Sequence, residues 1–240
     1  MRGELNHFQQ PRSITFGADS APRQHHSQGW NPYEMNGGNI VAYAQDDWAV
    51  IAADTRLTRS YSILKRDATK IHRLTEDTWL LTAGMYADYT KLARVLDAKV
   101  EAYELAHRVR PSSAAIAELL SKVLYSRRFF PYYAFCAVVG FEEGQSRCWG
   151  YDAVGSHEHM PFVVQGNAQQ LMVPLLDNQF VDSNAVQPRR RPTQAEALEV
   201  VVDAFQSAAE RDTTCGDRLE VKLLQGGRLV SEHTYPLRRD

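Results

Sequence analysis

Short apolar runs separated by polar punctuation organise the chain from Asn39 onward. Ile40-Val41-Ala42-Tyr43 and Trp48-Ala49-Val50-Ile51-Ala52-Ala53 flank the polar stretch Gln45-Asp46-Asp47, a pattern that predicts a β-hairpin. Neither run alternates with polar residues, so both faces of this hairpin need cover, which places it inside a layered structure. Further strands are expected at residues 61–63, 70–74 and 79–83, the last stopped by Gly84.

The period then changes. Leu92, Val95, Leu96, Val100 and Tyr103 recur at helical spacing within residues 86–107, predicting one amphipathic helix. Pro111 with Ser112-Ser113 ends it and opens a second, whose apolar face is Ile116, Leu119, Leu120, Val123 and Leu124. The short connection predicts an antiparallel helix pair. Strands return at 132–141 and 145–152, joined by Glu142-Glu143-Gly144, and a further strand is expected at 160–164, ended by Gly166. Residues 168–180 read as a helix through Leu171, Met172, Leu175 and Leu176. After a loop at 184–192, Thr193 caps a helix through Ala209, and two strands at 219–224 and 229–235 meet at Gln225-Gly226-Gly227.

The order is strands, two helices, strands, two helices, strands. Grouping of strands apart from helices argues against a doubly wound parallel sheet. It predicts an α+β fold in one domain: a four-layer αββα sandwich of two antiparallel sheets between helix layers. Residues 1–29, rich in Gln, His and Pro, read as a flexible N-terminal arm or propeptide-like segment, and residues 30–240 as the folded domain.

Composition narrows the function. The 27 basic and 29 acidic side chains give a net charge of −2, so no general attraction to nucleic acid or anionic membrane is expected. No apolar stretch approaches the roughly 20 residues of a membrane span, and the polar N-terminal stretch is not read as a secretory signal. Cys136, Cys148 and Cys215 are an odd, small number for a chain this long, none in a Cys-x-x-Cys pair, and do not read as a disulfide framework. A reducing compartment, cytoplasm or nucleus, is expected.

Three passages carry a resemblance. They are Asn36-Gly37-Gly38-Asn39-Ile40 with Ala53-Asp54-Thr55-Arg56, then Ser126-Arg127-Arg128-Phe129-Phe130-Pro131-Tyr132-Tyr133, then Ala208-Ala209-Glu210-Arg211-Asp212 with Cys215-Gly216-Asp217. From about residue 30 to the C-terminus the chain resembles the β subunits of the 20S proteasome, and the second passage resembles the subunit at the sixth ring position. The resemblance implies the N-terminal nucleophile hydrolase sandwich. It also implies assembly with other β subunits of the same and the opposing ring and with α-ring subunits, and no cofactor.

In active members of that family one residue supplies both a hydroxyl nucleophile and, as a newly exposed N-terminus, the α-amine that takes its proton. By the resemblance Asp54, Arg56 and Lys70 stand at the family's acidic, basic and lysine positions. Asp212, Cys215 and Gly216 match its Asp-x-x-Ser-Gly passage, with Cys215 for serine, and Asn167 stands where active members carry serine. Gly38 falls at the nucleophile position, flanked by Gly37 and Asn39. Glycine has no side chain to attack with. The chain has no Gly-Thr dipeptide, and cutting its lone Gly-Ser, Gly155-Ser156, would divide the predicted sandwich.

The resemblance therefore implies a non-catalytic subunit of a threonine-endopeptidase complex. Asp54 and Lys70 are expected to form a buried ion pair bracing two strands, and Asp212 to support the fold or a ring contact. Competing readings are an active threonine peptidase subunit, another N-terminal nucleophile hydrolase such as an amidase, and a free-standing binding module.

Other constellations carry less. His157-Glu158-His159 has ligand spacing on a strand but no third ligand nearby, and His25-His26 has none either, so no metal site is expected. Cys148 reads as a core residue. Gly37-Gly38 and Gly226-Gly227 lack phosphate-loop spacing. Arg189-Arg190-Arg191 reads as a solvated basic loop. Arg127, Arg128, Phe129, Phe130, Pro131, Tyr132 and Tyr133 form a cationic-aromatic run that would be costly to leave bare, so a partner contact is expected there.

Overall fold

A computed structural model describes residues 31–181 and 190–239. The predicted arm at 1–29, His25-His26 and Arg189 lie outside the described residues. The chain divides after Pro32, and the unit described below begins at Tyr33.

Strands β1 (Asn39–Gln45), β2 (Trp48–Asp54), β10 (Phe162–Gly166), β11 (Arg218–Gln225) and β12 (Arg228–Pro236) form one antiparallel sheet in the order β10-β1-β2-β11-β12. Strands β5 (Ile71–Arg73), β6 (Thr78–Gly84), β7 (Ala134–Glu142), β8 (Gln145–Tyr151) and β9 (His157–Met160) form the second, in chain order. A short ribbon of β3 (Leu57–Arg59) and β4 (Ser62–Lys65) stands apart. Among the described residues the helices are α1 (Tyr86–His107), α2 (Ser113–Tyr125), α3 (Gln169–Phe180) and α4 (Gln194–Ala209).

Three apolar cores separate four layers. Strand side chains alternate in direction, and every residue of β2 is buried because each face meets a different core. Val50 and Ala52 join Val41, Val221, Met172, Val201 and Phe205 under α3 and α4. Ala49, Ile51 and Ala53 join Ile40, Leu81, Val139 and Leu224 between the sheets. A third core packs Leu92, Leu96, Ile116 and Leu120 of α1 and α2 against Leu80, Val138 and Trp149 of the second sheet. The expected αββα order is the observed one.

Local chemistry sets the joints. The β7–β8 turn at Glu143-Gly144 and the β11–β12 turn at Gly226-Gly227 put both central residues at positive φ, as two-residue hairpins with matching twist require. Ser112 caps α2 through Ala115 N–H. Thr193 and Glu196 form a reciprocal capping box at α4.

Several expected boundaries differ. The single strand expected at 160–164 is two strands in different sheets: β9 ends at Met160 and β10 begins at Phe162. Pro161 sits at the crossing; it has no N–H to continue either ladder, while the unbroken apolar run conceals the change of sheet. Tyr61 is fully exposed in the turn of the β3–β4 ribbon rather than in a strand, and β3 was not foreseen. Tyr132 and Tyr133 precede β7 instead of opening it. Tyr103 lies off the buried stripe of α1, packed on His107.

Candidate functional site

The segment entering β1 is held from both sides. Asn36 N–H donates to Gly84 O (3.3 Å), Gly84 N–H to Gly37 O (3.3 Å) and Thr58 N–H to Asn36 O (3.0 Å). The Asn36 amide donates to Thr58 O at 3.0 Å and accepts from Tyr86 N–H at 2.8 Å. Gly38 emerges at φ +91°, in the region that favours glycine.

Lys70 fills the space in front of Gly38. A Cβ at residue 38 would lie 2.6 Å from Lys70 Cε and 2.9 Å from Nζ, closer than packed atoms approach. The ammonium donates to Asp54 O (2.7 Å), Asp54 Oδ1 (3.0 Å) and Arg56 O (2.7 Å), which uses its three donors. Lys70 and Asp54 are both fully buried. Burial pushes the Asp54 carboxyl above its ordinary range, opposed by Lys70 and by the Asn39 N–H, which donates to Oδ1 at 2.6 Å. Gly216 N–H also favours the carboxylate without completing a hydrogen bond to Oδ2.

Asn39 joins this group to the next. Its side chain accepts from Ala168 N–H (2.7 Å), and its amide reaches Asp212 Oδ2 at 3.5 Å. Asp212 accepts from Thr214 N–H (2.9 Å) and from its hydroxyl (2.8 and 2.9 Å). Asn167 donates to the same hydroxyl at 3.0 Å. Cys215 is buried; burial raises its thiol pKa, with the charges of Asp54 and Asp212 adding to the rise. Arg56 donates to Asp217 Oδ2 (2.9 Å), Thr213 O (2.9 Å) and Arg238 O (2.8 Å). Its guanidinium lies against Gly216, where any side chain would collide with it.

Lys70 thus meets both Gly38 and Asp54, and Asp212 and Asn167 share Thr214. Arg56, Gly216 and Asp217 form an adjoining group. Asn39, Thr214 and Asp217 were not foreseen as members. Asn39 left a signal, a polar residue opening a wholly apolar run, and Asp217 directly follows Gly216; Thr214 left none. Chemically the group holds a lysine and an aspartate in firm positions, but residue 38 brings no hydroxyl or thiol to them.

The cationic-aromatic run lies elsewhere, after α2. Phe129 is 89% and Phe130 61% exposed, while Tyr132 and Tyr133 are half-buried. Arg128 lies over the rings of Tyr125 and Phe129 and Arg127 over Tyr132. Tyr33 packs against Phe130 and Tyr133 and donates to Pro131 O at 2.8 Å. His157 stacks on Tyr151, His159 meets Trp149 edge-on, and Cys148 is buried, its thiol donating to Met160 O at 2.7 Å. Arg190 and Arg191 pair with Glu196 and Asp46. None of the described helices is long and apolar enough to cross a membrane.

Residues 34–224 match the proteasome subunit family. A protein of Arabidopsis thaliana named proteasome subunit beta type-1 is 42% identical over 217 residues, 88% of this chain and 97% of its own length. A Danio rerio protein of the same name is 37% identical over 232 residues, 94% of this chain and 98% of its own. One from Petunia hybrida is 40% identical over 220 residues, 88% and 97% of the two. With the family match spanning most of the sandwich, and likenesses reaching across nearly the whole of each relative, this chain belongs to the proteasome subunit family.

Proposed function

We propose that the chain is a non-catalytic β subunit of the 20S proteasome core particle, at the sixth ring position. It closes the ring and shapes the chamber in ubiquitin- and ATP-dependent protein degradation. The relatives' shared name supports the β-subunit assignment. One observation carries the non-catalytic reading: Gly38, at the place of the nucleophile, has no side chain, and Lys70 Cε occupies the space one would take. The acid and the lysine are retained for structure, since removing one member of a buried pair leaves an uncompensated charge.

Its partners on this reading are β subunits of the same and the opposing ring and α-ring subunits, in cytoplasm and nucleus, with no nucleic acid or membrane among them. Arg127, Arg128, Phe129, Phe130, Pro131, Tyr132 and Tyr133 form a subunit contact. Asp212 holds the loop at Thr214 rather than assisting proton transfer, so Asp212→Asn is expected to weaken folding or assembly.

The test is treatment of the assembled particle with a peptide epoxyketone, followed by mass mapping of each chain. The expected result is label on other subunits and none on this one. An adduct at a newly exposed N-terminal residue of this chain would instead establish the competing reading, an active threonine peptidase subunit.

A further inference from the structure

Beside the Arg56 group, basic side chains outnumber acidic ones among the described residues. Asp217 is almost fully buried and already shared: Arg56 donates to one oxygen at 2.9 Å, and Arg66 pairs with the other. Arg66, Asp217, Arg218 and Arg239 line a shallow cavity of about 530 Å³. Among the described residues neither Arg218 nor Arg239 forms an ion pair, and the one carboxylate that lines the cavity with them is already engaged by Arg56 and Arg66.

The backbones that carry these arginines are also tied together. Thr55 N–H donates to Arg218 O (2.9 Å), the Thr55 hydroxyl to Arg66 O (2.8 Å), and Arg66 Nη1 to Arg239 O (3.0 Å). Asp217 N–H donates to Arg238 O (2.9 Å) and Leu237 N–H to Asp217 O (3.1 Å), so the C-terminal stretch is tied to the rest of the cluster. Like charges gathered around one shallow cavity favour the approach of opposite charge. Guanidinium forks match carboxylates in charge and geometry.

We propose that Arg66, Arg218 and Arg239 receive a carboxylate-bearing segment of a neighbouring protein chain. The inference rests on the subunit reading, which supplies a permanent neighbour, and concerns a surface that reading leaves unassigned.

The test replaces Arg218 and Arg239 by lysine in the full chain, which keeps the charge and adds an amine. The particle is treated with a zero-length carbodiimide, which joins amines to paired carboxylates, and cross-linked peptides are sequenced. The expected product joins Lys at 218 or 239 to an Asp or Glu of another chain. The charge-reversed variant R218E/R239E should enter the particle less well than the unaltered chain, on the order of tenfold, with an unchanged circular dichroism spectrum.

Links only to carboxylates of the same chain, Asp240 included, would overturn the proposal, as would normal entry of the charge-reversed variant. Co-purification of the unaltered chain in a large particle tests the subunit reading by itself. A chain that enters the particle without an interchain link overturns the docking inference alone.

Discussion

The pocket behind β1 and the loop after α2 are both crowded with groups that apolar surroundings tolerate poorly, yet they resolve the difficulty in opposite ways. Lys70 finds three acceptors within its own chain, two from Asp54 and one from Arg56, and is sealed from water. Arg127 and Arg128 find neighbouring aromatic rings and, for Arg128, the Tyr125 hydroxyl, without a carboxylate among the described residues, and Phe129 stays bare. A group completed within the chain serves the fold. A group left incomplete on a firm scaffold directs attention to something outside it.

The contrast predicts unequal costs. Lys70→Met should be the most damaging change, losing about 3–5 kcal/mol of folding stability because Asp54 is left buried and uncompensated. Urea unfolding measures it, and adding Asp54→Asn should recover much of the loss if the stranded charge is its cause. Thr193→Ala, which removes an exposed but partnered cap of α4, should cost about 1 kcal/mol by the same assay. F129S/F130S should change stability by no more than about 0.5 kcal/mol while reducing entry into the particle. A larger stability loss would mean that the loop serves the fold, and the contrast between the regions would fail.

The thiols extend the comparison through pH. Burial pushes Cys136 and Cys148 up to about 12 from an ordinary 9.0. Above pH 9 the unfolded chain releases protons that the folded chain retains, so stability should fall as pH rises from there toward 12. Urea midpoints at pH 8 and 10 check the sign. At neutral pH iodoacetamide should label none of the three cysteines until the chain is unfolded.

Much of the layering was legible in the pattern of residues. Two unbroken apolar runs around Asp46-Asp47 read as a hairpin covered on both faces, and the change to helical spacing at Leu92 marked the start of an outer layer. The capping residues Ser112 and Thr193 announced their helices. The sheet crossing at Pro161 stayed hidden because continuous apolarity looks the same whether a run stays in one sheet or passes between two. Likewise Thr214, in a polar loop, carries no local mark of its bonds to Asp212 and Asn167.

By itself the sequence determined which residues had to be buried, where turns and caps fall, and that residue 38 carries no side chain to do chemistry. These are properties of single residues and their near neighbours, written in period and composition. Only the tertiary structure decided that Lys70 fills the space before Gly38, that Asn39 links Asp54 to Asp212, and that arginines distant in the chain converge on Asp217. Those contacts join residues far apart in sequence, and their geometry follows from how the sheets and helices pack rather than from any local pattern.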